Sequence, residues 1–284
     1  MQVIIFLFVV FYGKELIEEK EITIGSYIAF VLFTFNFFSP IHEIIDLSLE
    51  FKTAIVSVRR VYQIYTLKEE SNLFREKYNF CNSEIKVSDY SLPYIKLQKK
   101  KLISFSIKQK ILNFIVGKNG SGKTTFVNML NGYIDVPDGV INIGSRDINT
   151  ISLECLRMNV RTLYQTPEFV DDEIISFIED YQELKSNISP QIKELIDRHL
   201  YKFENKQFIN NLSGGEKQLL CFFEVLLSNP KILIIDEGFS NLDFTTIKEC
   251  LNILNEIKYD TTILIVTHDV SLLNIYESHI INFD

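Results

Sequence analysis

Two apolar runs open the chain. Val3 to Tyr12 (VIIFLFVVFY) is continuous, and Ile22 to Ile41 (ITIGSYIAFVLFTFNFFSPI) holds 20 residues without a charge. At the rise of an α-helix the second run predicts a segment about 30 Å long, the thickness of a bilayer core; the first, at about 15 Å, cannot span alone. A pair of buried helices in a soluble domain is the competing account, but 20 uncharged residues exceed most buried helices. No basic residue precedes the first run and no small-x-small site follows it, which argues against a signal peptide. From Glu43 to Glu70 the pattern stays helical with mixed polarity, as for a membrane helix continuing into the cytosol. Residues 1–70 are therefore expected to be a partial transmembrane region, the tail of one helix and one full helix, and the polar stretch 71–84 a linker. Gly13–Glu21 carries two Lys and four Glu, whereas Lys52, Arg59 and Arg60 follow the second run. Positive charge favours the cytoplasmic side, which puts the acidic loop outside.

Beyond residue 84 the pattern changes. Ile111–Val116 (ILNFIV), Lys231–Ile235 (KILII) and Thr261–Val266 (TTILIV) are short continuous apolar runs, as expected of parallel strands buried on both faces. The first feeds into Gly117-Lys-Asn-Gly-Ser-Gly-Lys-Thr124 and then a helical pattern. Strand, glycine loop and helix are the context in which G-x-x-x-x-G-K-T binds phosphates. Glycines let backbone N–H groups turn inward, and the helix N-terminus favours an anion there. Lys123 would reach the β- and γ-phosphates and the Thr124 hydroxyl would ligate Mg2+. Gly117, Asn119, Gly120, Ser121, Gly122 and Thr125 complete the expected nucleotide cradle. The second run ends in Asp236 and Glu237, at the strand end where ligands bind in such sheets. Asp236 would hold Mg2+, directly or through water, and Glu237 would face the attacking water. The third ends in Thr267-His268-Asp269. A lone histidine after a strand is usually structural, but its place here favours contact with a γ-phosphate.

Composition narrows the field. The formal charge is −8, which disfavours a nucleic-acid partner held by bulk electrostatics. The four cysteines form no CxxC pair and the four histidines show no metal-ligand spacing, so neither a disulfide framework nor a zinc site is expected.

One stretch remains, Asn210–Gln218 (NNLSGGEKQ). Taken alone it is a helix start: Ser213-x-x-Glu216 is a capping box. Together with the other motifs it points elsewhere. Residues 85–284 resemble the nucleotide-binding domain of ATP-binding cassette (ABC) transporters, whose signature LSGGQ is matched by Leu212-Ser-Gly-Gly-Glu216. Gln165 matches that family's Q-loop and Ser240-Asn-Leu-Asp243 its D-loop. Tyr94 lies where the family carries an adenine-stacking aromatic residue, and His268 matches its switch histidine. The membrane part is similar to the last helices of ABC exporters with fused domains.

The resemblance implies an α/β P-loop NTPase of the ABC ATPase type, preceded by a partial α-helical transmembrane region. It implies ATP and Mg2+, with Thr124, Gln165 and Asp236 toward the metal and Glu237, His268 and Gln165 as the catalytic set. It also implies a second ABC subunit, in a homo- or heterodimer, in which Ser213, Gly214 and Gly215 face the ATP held by the other chain. A lone monomer would then bind ATP and hydrolyse it poorly. The implied protein sits in the cell membrane, multi-pass when complete, with its nucleotide-binding domain in the cytoplasm. It meets the lipid bilayer and a transported substrate, for which peptides or bacteriocin-like molecules are the expectation, and no nucleic acid. ATP-driven export is the leading function; a regulatory or structural ATP-binding module with little turnover is the alternative. Exporters of this type carry six helices before the cassette. An upstream start, a split gene or a partner supplying helices are all open, with truncation favoured.

Several positions depart from the family pattern. Leu219 and Glu224 stand where two arginines are usual, GFSNLD replaces a more usual D-loop approach, and Asn205–Asn211 replaces a glycine-containing segment. The C-terminal strands and helices usual in the family are expected to be missing.

Overall fold

The computed structural model describes residues 2–66, 75–90, 102–166, 169, 174–204, 208–269, 272–273 and 275–283, without the side chains of residues 2–6, 35, 37–39, 41, 42 and 175. The chain divides into two units, Met1–Ser71 and Asn72–Asp284.

The first unit is helical. Helix α1 (Gln2–Glu18) is followed by α2 (Ile24–Tyr65), whose 42 residues extend about 63 Å. Thr23 caps α2, its hydroxyl accepting from Ser26 N–H at 3.2 Å. The helices meet at Gly13, where an added Cβ would lie 2.2 Å from the Tyr27 ring; the Tyr27 hydroxyl donates to Val10 O at 3.3 Å. Phe11 and Phe33 are 71% and 75% exposed, so these helices leave large apolar side chains uncovered. Among the described residues no helix is long and apolar enough to cross a membrane. The span expected at Ile22–Ile41 falls partly on side chains outside the described residues. As the pattern over Glu43–Glu70 implied, α2 runs on through Pro40 into a segment bearing Glu43, Asp46, Glu50 and Lys52.

The second unit holds two sheets. Strands β1 (Ile85–Tyr90), β2 (Ile103–Ile107), β4 (Ile141–Ile143) and β5 (Arg146–Asp147) form an antiparallel sheet in the order β2-β1-β4-β5. Strands β3 (Leu112–Val116), β6 (Val160–Tyr164), β7 (Ile232–Asp236), β8 (Thr262–Val266) and β9 (Ser278–Asn282) form a sheet in the order β6-β7-β8-β3-β9, every pairing parallel. The three apolar runs of the sequence are β3, β7 and β8. Residues of β7 and β8 are all buried, because this sheet is covered on both sides. Alternation along each strand divides them between two cores: Leu233, Ile235, Ile263 and Ile265 in one, Ile232, Ile234, Leu264 and Val266 in the other.

The first core is completed by helices α5 (Ile174–Leu184), α6 (Pro190–Glu204), α7 (Gly214–Leu227) and α8 (Phe244–Ile257); the second by α3 (Lys123–Leu130), α4 (Leu153–Asn159) and the antiparallel sheet. Leu219, which stands where an arginine was expected, is 1% exposed and packs in the first core.

Strand β9, which follows the histidine strand, pairs with β3 along its whole length, Val116 opposite Asn282. Polar and exposed positions alternate irregularly in Ser278–Asn282, so no buried-strand pattern was visible there. The stretch before β1 is tied to the second unit. Glu76 N–H donates to Thr150 O at 2.8 Å, Ser152 N–H donates to Glu76 O at 2.8 Å, and Phe80 is buried.

Candidate functional site

The parallel register brings the carboxyl ends of four strands to one edge. Tyr164 of β6 lies opposite Asp236, Asp236 opposite Val266, and Val266 opposite Ile115. Gln165, Glu237, Thr267 and Gly117 follow those strands, so residues up to 150 positions apart converge because their strands pair.

The loop after β3 is shaped by two left-handed glycines, Gly120 at φ 82° and Gly122 at φ 94°, backbone that a Cβ would strain. Gly117 is confined differently: a Cβ there would approach Ser121 Oγ to 2.8 Å and Phe283 Cβ to 3.1 Å. The loop is braced from below by aromatic rings. Tyr90, Phe105, Phe126 and Phe283 pack with centroid separations of 5.3–5.8 Å, and the Tyr90 hydroxyl donates to Gly122 O at 3.2 Å. Burial pushes the Tyr90 phenol up to about 12, so it stays protonated and keeps donating.

Within the loop, Lys123 is 6% exposed and its ammonium donates to Gly117 O at 2.7 Å and Lys118 O at 3.0 Å. Ser121 Oγ is buried with no hydrogen-bond partner. A buried hydroxyl without a partner carries a desolvation cost of about 1–3 kcal/mol. A phosphate oxygen is the acceptor that such a loop would supply it with. Asn119 and Gly120 are exposed at the tip, and Thr124 and Thr125 begin α3.

Asp236 is 6% exposed. Burial raises its carboxyl above the usual range, and Glu237 adds to this; the Thr124 hydroxyl and Lys123 oppose it. A bound cation would offset that desolvation. Among the described residues no three His, Cys, Asp or Glu side chains cluster as a metal site.

Glu237 follows at φ 52°. Its N–H donates to Val266 O at 3.0 Å, and its carboxylate lies 3.3 Å from His268 Nδ1. An open cleft of about 620 Å³ is lined by Thr124, Thr162, Tyr164, Gln165, Thr166, Cys221, Asp236 and Glu237. Burial raises the Cys221 thiol to about 12, which keeps it protonated, and the Tyr164 phenol to about 12.

The structure thus gathers Gly117–Thr125, Gln165, Asp236, Glu237 and His268. Ser213, Gly214 and Gly215 are not among the described residues lining this cleft. Ser213 and Gly214 are exposed at the start of α7, where the capping box forms: Ser213 N–H donates to Glu216 Oε2 at 2.7 Å and Glu216 N–H donates to Ser213 Oγ at 3.3 Å. That bond uses a hydroxyl lone pair and leaves its hydrogen to donate outward. Asp243 caps α8, accepting from the hydroxyls of Thr245 and Thr246 and from Thr246 N–H at 3.2 Å; these hydrogen bonds hold its carboxyl well below the usual range. Tyr94 lies outside the described residues.

Sequence reasoning passed over Gln218, Tyr90, Asn131 and Phe283. Asn131 is buried, and its amide donates to Thr162 Oγ1 at 2.9 Å and the Tyr164 hydroxyl at 3.1 Å under the cleft. A polar residue inside an apolar helical stretch was the available signal for Gln218. Phe283 had none, being one of 23 phenylalanines.

Residues 101–240 match the family model described as ABC transporter. Among curated proteins, the Lactococcin-A transport/processing ATP-binding protein of Lactococcus lactis subsp. lactis is 30% identical over 276 residues, covering 93% of this chain and 38% of that protein. The ATP-dependent lipid A-core flippase of Vibrio parahaemolyticus is 26% identical over 271 residues, 90% of this chain and 46% of that one. A solved structure of a bacterial Atm1-family ABC exporter with ATP bound aligns with a TM-score of 0.63 at 18% identity, covering 92% of this chain and 48% of that one; the likeness is one of fold. The chain spans less than half the length of the curated relatives it matches.

Proposed function

From the ABC transporter domain that this chain carries at residues 101–240, we propose that the protein binds MgATP in the cleft at the strand ends and hydrolyses it to drive export across a membrane. The observation that carries this proposal is one convergence: a partnerless buried Ser121 hydroxyl and a loop-spanning Lys123 beside the buried Asp236 and the half-buried Glu237.

The glycine loop and Lys123 take up the charge of the β- and γ-phosphates, with donors already turned inward. Lys123 is preplaced by its bonds to Gly117 O and Lys118 O and exchanges them for phosphate oxygens. Thr124, Gln165 and Asp236 would hold Mg2+, which supplies charge neutralisation at the phosphates. Glu237 accepts a proton from the attacking water, and His268, 3.3 Å away, steadies the Glu237 carboxylate and faces the γ-phosphate side.

The exposure of Ser213 and Gly214, away from the chain's own cleft, supports pairing of two ABC subunits in which each signature reaches the other's nucleotide. The free N–H groups of the α7 start, with the helix dipole, form an anion site of the required sign. The uncovered phenylalanines of α1 and α2 support contact with a lipid bilayer or with further apolar helices. A peptide cargo is supported by the relative named for lactococcin transport and processing.

Replacing Glu237 with Gln tests the assignment. The variant is expected to bind ATP with near-parent affinity and to lose at least 100-fold in phosphate release, the range general-base catalysis contributes. Release at the parent rate would remove Glu237 from its role. ATP binding without phosphate release by the paired parent chain would favour the regulatory alternative, which the like-charged pair of Glu224 and Asp180 motivates.

A further inference from the structure

Gln218 has no exposed surface, yet it is a polar side chain on a helix that otherwise feeds the core. Its amide nitrogen donates to Gln165 O at 2.8 Å and to Ser240 Oγ at 3.3 Å, and its amide oxygen accepts from Asn241 N–H at 2.9 Å. One side chain on α7 therefore holds backbone groups of two loops, the one after β6 and the turn after β7. The start of α7 touches the second loop directly: a Cβ on Gly215 would come within 2.7 Å of Asn241 O.

We propose that Gln218 is a positioning residue for ATP hydrolysis, which locks Gln165, the Ser240–Asn241 turn and the Ser213–Gly215 end of α7 into one body. This rests on the function proposed above. There, Gln165 faces the chain's own nucleotide and Ser213–Gly215 face the partner's. Gln218 is thus the hydrogen-bonded link between the two nucleotide sites. A change at Gln165 O reaches Asn241 N–H through a single buried amide, whose planar geometry passes on displacement and orientation. Buried amides satisfied at both ends are rigid, because breaking either bond leaves a buried polar group unmatched.

Two variants of the full chain in detergent, at pH 8, test this. Gln218→Met keeps the volume and removes every bond. Gln218→Glu keeps the acceptor for Asn241 N–H and turns a second oxygen toward Gln165 O. Hydrogen exchange at the Asn241 amide is expected to rise at least tenfold in Gln218→Met and to stay at the parent level in Gln218→Glu. Both variants are expected to lose at least tenfold in kcat while the Kd for a fluorescent ATP analogue changes less than threefold. Parent-level kcat in either variant, or a loss confined to nucleotide affinity, overturns the proposal; so does unchanged Asn241 exchange in Gln218→Met. If the parent chain itself released no phosphate, the proposed function would fail while the exchange pattern still decided whether Gln218 holds the turn. Should Gln218→Met not fold, Gln218→Glu alone decides through its kcat.

Discussion

Glu237 sits at φ 52°, in the left-handed region that costs a residue with a Cβ roughly 1–2 kcal/mol. The conformation is imposed from both sides: its N–H bonds to Val266 O at 3.0 Å, and it forms an isolated bridge with Tyr164. Two substitutions separate the backbone from the carboxylate. Glu237→Ala removes the carboxylate and keeps the strain, whereas Glu237→Gly removes both. Both lose the contact with His268, so it cancels between them. At an ordinary position glycine is about 0.5–1 kcal/mol less stable than alanine, through the entropy of its unfolded backbone. Here the relieved strain of about 1–2 kcal/mol opposes that loss, leaving roughly 0–1.5 kcal/mol in favour of glycine. For a domain of this size, 1 kcal/mol shifts the melting temperature by about 2–4 °C. Glu237→Gly is therefore expected to melt roughly 0–6 °C above Glu237→Ala, followed by far-UV circular dichroism or tyrosine fluorescence, since the chain has no Trp. Neither variant should release phosphate. If Glu237→Ala melts higher, the backbone at the proposed base is not strained and the reasoning fails. The expected order describes a site where aiming a carboxylate costs stability that the surrounding strands supply.

Two further outcomes follow from single groups. Ser121→Ala removes a buried hydroxyl that has no partner, so the nucleotide-free protein should hold its stability or gain about 1 kcal/mol, while the thermal shift produced by MgATP shrinks; a clear loss of nucleotide-free stability would show that the hydroxyl is not reserved for a phosphate. Burial and the neighbouring Asp180 push the Glu224 carboxyl from 4.5 up to about 7, although Glu224 keeps solvent on one side, which keeps the effect on stability small. A raised folded pKa means that the stability linked to the neutral form is complete below about 4.5 and is lost as pH rises through about 7. Glu224→Gln should match the parent near pH 5 and melt above it at pH 8, and parallel melting curves across that range would refute the shift.

Much of the site was written locally. The glycine loop, the acids ending β7 and the capping box at Ser213 are set by spacings of a few residues, where steric rules and hydrogen-bond reach act without help from the rest of the chain. The same holds for β3, β7 and β8, whose continuous apolar runs only a doubly covered parallel sheet can bury. Other features depended on distant pairing. Strand β9 has an irregular pattern of its own and exists because β3 offers it a partner; through it Phe283 comes to rest beneath Gly117. Glu237 takes a conformation that its side chain disfavours because two strands hold its backbone. Gln218 looked like one more residue of a core helix until the loops after β6 and β7 were brought to either side of it. Sequence alone therefore determined β3, β7, β8, the glycine loop and the cap at Ser213, because those rest on neighbours in the chain. Tertiary structure decided which of them touch, because strand order and the packing of helices on both faces of a sheet depend on contacts that no local spacing encodes.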